Sequence, residues 1–209
     1  MTAHRLLLLG GVVGPIAFLV AWVAGGIIDD RQLSAIDDAI SQLANVEADT
    51  RWLMTAGFFG FGLAVAPFAF AIRPILGGPS SLAYVTAAAS TVVVGLLPLG
   101  RSDAQDDFHA VAAGIAYIAF ASAPASAFRR LARIGHRRFA TVGVVVSSIA
   151  GVSLAVSLTS APTGVFQRLG LTALDGWTVA LAVILLSRSG TGQKGRPVAG
   201  PTGWRRARV

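Results

Sequence analysis

The chain has 209 residues, of which 54% are hydrophobic and only 13% charged, and its mean hydropathy is +0.68; soluble domains, which carry about 25% charge, are thereby excluded. Cysteine is absent, which excludes disulfides and thiolate metal sites. The net charge of +7 does not point to nucleic acid, because the arginines cluster in short loops beside apolar runs, where they set membrane topology.

A helix needs about 20 apolar residues to cross a bilayer, and six such runs are found. They predict an all-α, polytopic membrane helical bundle over residues 1–187, followed by a basic tail over 188–209. The first span is expected over Leu6–Ile28. It follows a basic start but exceeds the roughly 7–15 residues of a signal-peptide core, so it is expected to stay uncleaved. Gly10 and Gly14 form a small-xxx-small pair suited to close helix packing. Asp29 to Arg51 is too polar to span. Leu33, Ile36, Ile40 and Leu43 recur there at helical spacing, opposite Ser34, Asp37, Asp38, Ser41 and Asn45, which predicts a short amphipathic helix on the membrane surface. Ser34 with Asp37 resembles a capping box.

The second span is predicted over Trp52–Leu76 with Pro67 inside it, and the Gly77-Gly78-Pro79 turn follows. The third covers Ser81–Leu99 and the fourth Phe108–Phe128, with Pro124 near its end. Arg129, Arg130, Arg133, Arg137 and Arg138 crowd the next loop. The fifth, Phe139–Leu158, carries Gly143, Ser147 and Gly151 on a face expected to pack closely. The last runs from Val165 to Ser187. The remaining tail is rich in Gly, Pro and Arg and reads as disordered; Trp204 among its arginines suits contact with anionic lipid, or a purely topogenic role.

If both termini are cytoplasmic, only Arg31, Arg51, Arg101 and Arg168 of the 17 cations fall outside, together with every acid except Asp175. The positive-inside rule therefore predicts cytoplasmic N- and C-termini and a multi-pass protein of the plasma membrane.

The polar connection within Leu96–Tyr117 organises the candidate site. His109 opens the fourth span one turn from Asp106, with Asp103 and Asp107 nearby and Tyr117 eight residues on along the same face. A carboxylate beside an imidazole fixes its tautomer and stabilises the imidazolium, so these residues form a candidate acid/base pair; a hydrated histidine capping the helix is the plain alternative. Asp175 is the one acid inside a span, where an ionised Asp costs about 2.5–3.5 kcal/mol and needs a partner or water. Arg168, Thr172 and Asp175 share a stripe expected to face the bundle, as a polar site or a structural ion pair. Ser41 on the same outer side permits a nucleophile arrangement, although no G-x-S-x-G elbow is present; a capping serine is the alternative. Neither H-x-x-x-H nor H-E-x-x-H occurs, and His4 and His136 fall on the opposite side. No metal or cofactor is expected, with a hard cation at His109 and its carboxylates as the weaker option.

The motifs Ala39-Ile40-Ser41-Gln42-Leu43-Ala44, Trp52-Leu53-Met54 through Gly57-Phe58, Leu97-Pro98, His109, and Gln167-Arg168-Leu169 with Trp177 resemble, in their order, the prokaryotic six-helix membrane family catalogued as "domain of unknown function 998". The resemblance covers nearly the whole chain. It implies a six-helix integral membrane protein and no particular activity. Ser41, His109 and Arg168 match the family's polar positions. Two acids do not carry over: Leu99-Gly100, with Asp103 displaced, stands where the family tends to have Asp, and Gln167 where it tends to have Glu. Both departures count against catalysis by two carboxylates.

The expectations are an outward-facing enzyme of hydrolase or cyclase type acting on a lipid or amphiphile, a non-catalytic scaffold or lipid-binding subunit, or, third, a small transporter. In the enzyme reading His109, Asp106, Asp107 and Asp175 are catalytic, while Ser41, Arg168, Asp103, Tyr117 and Trp177 hold the substrate. Expected partners are membrane lipid, an amphiphilic small molecule, and a membrane protein or second copy of the chain; nucleic acid is not among them.

Overall fold

The six apolar runs fold as six helices in the computed structural model, which describes residues 2–31, 33–159 and 162–191. They are α1 (Ala3–Ile28), α2 (Arg51–Leu76), α3 (Gly78–Leu96), α4 (Asp103–Arg133), α5 (Arg137–Ser157) and α6 (Thr163–Thr191). No strand occurs among the described residues, and all six helices are long and apolar enough to cross a membrane.

Most ends lie within three residues of the expected ones; α4 differs by five at each end. Its 31 residues extend about 46 Å, well beyond the ~30 Å hydrocarbon layer, so polar turns project at both ends. Ser102 caps it by accepting from the Gln105 amide, with Asp103 and Asp106 in the first turn and Arg130 and Arg133 in the last. That arrangement complements the helix dipole. Helix α6 continues to Thr191, past Ser187. The tail beyond it, with Trp204, lies outside the described residues.

Successive helices run antiparallel, each packs on its chain neighbours, and α1 meets α6, which closes a ring. Gly10 and Gly14 face α2: a Cβ on Gly10 would collide with the Ala64 carbonyl, and one on Gly14 would lie 2.7 Å from a Val65 methyl. The α5 stripe is split instead. Gly143 lies against Trp177 of α6, Ser147 accepts a bond from the Ala125 amide beside Pro124 of α4 at 3.1 Å, and Gly151 faces open space. Four-residue spacing advances about 40° per step around a helix, so the third member of the stripe rotates off the packed face.

Inside the ring, aromatic rings link four helices. Phe18 of α1 meets Phe61 of α2, Phe61 meets Phe120 of α4 edge-on at 5.2 Å, Phe120 meets Tyr84 of α3, and Tyr84 meets Phe68 of α2. The Tyr84 hydroxyl then bonds Thr178 of α6 at 2.9 Å, which leaves this buried polar group satisfied.

One end of the bundle gathers Asp29, Asp30, Asp37, Asp38, Glu47, Asp49, Asp103, Asp106 and Asp107; the other gathers Arg5, Arg73, Arg129, Arg130, Arg133, Arg137 and Arg138. These are called the acidic and basic ends below. At the acidic end the expected amphipathic helix is replaced by turns around a single five-residue 3₁₀ segment, Ile40–Ala44. Ser34 does act as a local cap, accepting from the Asp37 amide at 3.1 Å, but no helix propagates. The backbone that would continue it bonds to α6 instead: Val165 N–H donates to the Ile36 carbonyl at 2.9 Å, and Ile40 N–H donates to Gln167 Oε1 at 2.7 Å. Ile40 and Leu43 are still buried, as their spacing implied, whereas Ile36 is 56% exposed.

The segment is tied at its start by Asp29, whose carboxylate accepts from the Arg31 amide (2.9 Å), the Arg31 guanidinium (2.7 Å) and the Thr50 hydroxyl (3.0 Å). This joins the end of α1 to the start of α2. The Arg31 guanidinium bonds hold the Asp29 carboxyl below the usual carboxylate range.

Two outcomes follow from this packing. Gly10→Val forces α1 from α2 and is expected to cost about 1–3 kcal/mol, read as a lowered Tm of the detergent-purified protein, whereas Gly151→Val leaves the Tm unchanged. For Asp29 the folded carboxyl has the lower pKa, so its contribution is present above about pH 3.9 and lost as pH falls through the folded value. Asp29→Asn is therefore expected to lower the Tm at pH 7, with the gap to wild type narrowing as pH falls through the folded carboxyl's lowered pKa.

Candidate functional site

The ring encloses a cavity at its acidic half, with a volume of about 70 Å³. Phe18, Phe58, Phe61 and Phe120 form its lower walls, and the Phe61–Phe120 contact closes it towards the basic end. Thr91 and Val94 of α3, Ala113, Ala116 and Tyr117 of α4, and Gln167 and Leu171 of α6 complete the sides, while Ile40 and Ser41 of the 3₁₀ segment lie across the top. The chamber is thus apolar below and polar at its rim.

Of the residues singled out from sequence, Ser41 and Tyr117 line this cavity. Ser41 Oγ makes no hydrogen bond among the described residues, and the buried Tyr117 hydroxyl is likewise unbonded. The hydroxyl sits against Gly170, where any Cβ would collide with it.

Arg168 does not line the cavity; it holds the cap. Its Nη1 donates to the carbonyls of Ala35 (2.9 Å) and Asp38 (2.8 Å), and its guanidinium carbon lies 5.7 Å from the Trp22 ring. Gln167, the neighbour that departs from the expected Glu, fixes Ile40 through its side-chain oxygen. A carbonyl oxygen serves this bond as well as a carboxylate would, so the departure preserves the structural contact.

His109 is buried, and its Nδ1 lies 2.6 Å from the Leu97 carbonyl oxygen. A carbonyl only accepts, so Nδ1 carries the hydrogen and Nε2 presents a lone pair; Nε2 is buried and unbonded. The expected imidazole–carboxylate pair is not formed. Asp106 accepts from the Gly100 amide at 2.9 Å, and Asp103 and Asp107 are exposed. Gln105 takes the Pro98 carbonyl at 2.6 Å, and the Leu99 carbonyl receives the Val46 amide. The first turns of α4 are thus spent on holding the Leu97–Gly100 turn, where Gly100 has φ +87°. His109 nevertheless stands one turn from Ala113, on the α4 stripe that continues through Ala116, Tyr117 and Phe120 into the cavity wall.

Asp175 lies inside α6 and is buried, with neither carboxylate oxygen bonded, but it is not part of the cavity lining. Arg168 is engaged a full seven residues away, and Thr172 is exposed, so the expected polar stripe does not converge. Trp177 is buried deeper in α6, stacked on Phe139 at 5.2 Å. Among the described residues no three His, Asp or Glu side chains form a group able to hold a metal ion. The four phenylalanines carried no mark in the sequence that separates cavity wall from lipid-facing surface; Thr91, a polar residue within a span, was the available signal.

A ring of six antiparallel apolar helices, closed on itself, defines a multi-pass integral membrane protein. Residues 12–184 match the family described as "Protein of unknown function (DUF998)", and the chain belongs to that family. No curated protein and no solved structure matches the chain.

Arg168→Ala removes both bonds to the 35–38 backbone and is expected to cost about 2 kcal/mol. Limited proteolysis reads it directly, as faster cleavage within residues 29–50, with Thr172→Ala cleaved at the wild-type rate.

Proposed function

We propose that the protein binds an amphiphile, a lipid or lipid-like molecule, in the central cavity, with its acidic end facing out of the cell and both termini in the cytoplasm. The observation that carries this reading is the cavity itself: aromatic and aliphatic walls suited to a hydrocarbon portion, beneath a rim where Ser41 Oγ and the Gln167 amide nitrogen have no partner among the described residues. Unpaired polar atoms beside an apolar chamber favour a ligand with a small polar head and an apolar body. The orientation is supported by the crowding of arginines at the basic end, under the positive-inside rule.

The binding reading is favoured over the acid/base enzyme because the groups proposed for catalysis do not meet. His109 is held by Leu97 and Asp106 by Gly100, Asp103 and Asp107 are exposed, and Asp175 is buried away from the cavity.

Titration of the purified protein with a fluorescent polyene fatty acid tests the proposal. Wild type binds with saturation, Ser41→Ala binds about 2–10-fold more weakly through loss of one hydrogen bond, and Ala113→Trp, which fills the chamber, does not bind although its Tm is retained. Wild-type binding by a well-folded Ala113→Trp protein would falsify it.

A further inference from the structure

A second cleft lies on the flank of the bundle at the acidic end, where α2 begins and α3 ends. It has a volume of about 210 Å³ and is lined by Arg51, Trp52, Thr55, Phe59, Leu96 and Arg101, among others. It shares no lining residue with the central cavity. Its charge runs against its surroundings. This end carries nine acids, yet neither guanidinium of the cleft is ion-paired or hydrogen-bonded among the described residues.

Arg51 is instead stacked on the Trp52 ring at 4.5 Å. Stacking occupies the face of a guanidinium and leaves its in-plane N–H donors for a two-oxygen partner. Trp52 is 71% exposed and Leu96 61% exposed, so the arginines stand above an apolar surface, with the aromatic ring between, as at a headgroup boundary. The start of α2 adds to the positive field. Thr50, its capping residue, shares its single hydroxyl hydrogen between Asp29 and the Leu43 carbonyl and accepts from no amide of the helix, and the Trp52 and Leu53 amides make no bond among the described residues. Free amides at a helix start favour an anion.

We infer that this cleft binds the phosphate headgroup of an anionic phospholipid, with Arg51 and Arg101 on the phosphate oxygens and an acyl chain along Phe59 and Leu96. The two charges select a diester phosphate without a compensating cation, such as phosphatidylglycerol, over zwitterionic phosphatidylcholine. The site is independent of the central cavity and of what that cavity holds.

Native mass spectrometry of the full chain, released from micelles doped with phosphatidylglycerol or phosphatidylcholine, tests the assignment. Wild type is expected to retain phosphatidylglycerol in preference, and to lose that preference as salt is added. Retention falls about fivefold for Arg51→Gln or Arg101→Gln and about thirtyfold for both, while Arg138→Gln at the basic end leaves it unchanged. The inference is overturned if wild type shows no preference between the two lipids, or if the double variant, with an unaltered Tm, retains phosphatidylglycerol like wild type. It is also overturned if inorganic phosphate gives the arginine-dependent adduct and the lipid does not.

Discussion

The short run of backbone from Ala35 to Ile40 depends for its hydrogen bonds on another helix. Its carbonyls are taken by Arg168 and by the Val165 amide, and its Ile40 amide is taken by Gln167. Backbone near a membrane must be satisfied by protein or water, and here the first turns of α6 do it. Ser41 and Ile40 reach the top of the cavity because of this attachment. The chamber below is set by aromatic contacts between helices, but its roof is set by two adjacent side chains.

The same logic governs the second connection. Leu97, Pro98 and Gly100 surrender their backbone groups to His109, Gln105 and Asp106, and Leu99 bonds Val46 of the first connection. Residues that look like chemistry in a sequence are here occupied with a turn. An imidazole held through Nδ1 by a carbonyl is fixed in orientation, and its remaining nitrogen faces protein rather than a carboxylate.

Six spans were readable because length and hydropathy suffice when every helix must cover a fixed thickness, and the order of Ser41, His109 and Arg168 pointed to the family that residues 12–184 match. The surface helix was not readable. The spacing of Leu33, Ile36, Ile40 and Leu43 fits a helix, but a turn that buries Ile40 and Leu43 satisfies the same pattern once Gln167 and Arg168, about 130 residues away in sequence, supply the bonds. Asp106 and His109 are three residues apart on one helix, which permits contact without requiring it; the nearby Gly100 amide and Leu97 carbonyl claimed each separately. The cavity was hidden because Phe18, Phe58, Phe61 and Phe120 have the composition of any membrane span, and only their mutual ring contacts mark them as interior.

Ring closure between α1 and α6 imposes an order on biosynthesis. Helix α1 has one flank covered by α2 and the other bare until α6 is made, and the loop after it lacks its anchors for the same interval. Both seams are completed by one event, the arrival of residues 163–168 in the first turns of α6, so the internal chamber comes into being only once that helix has been made.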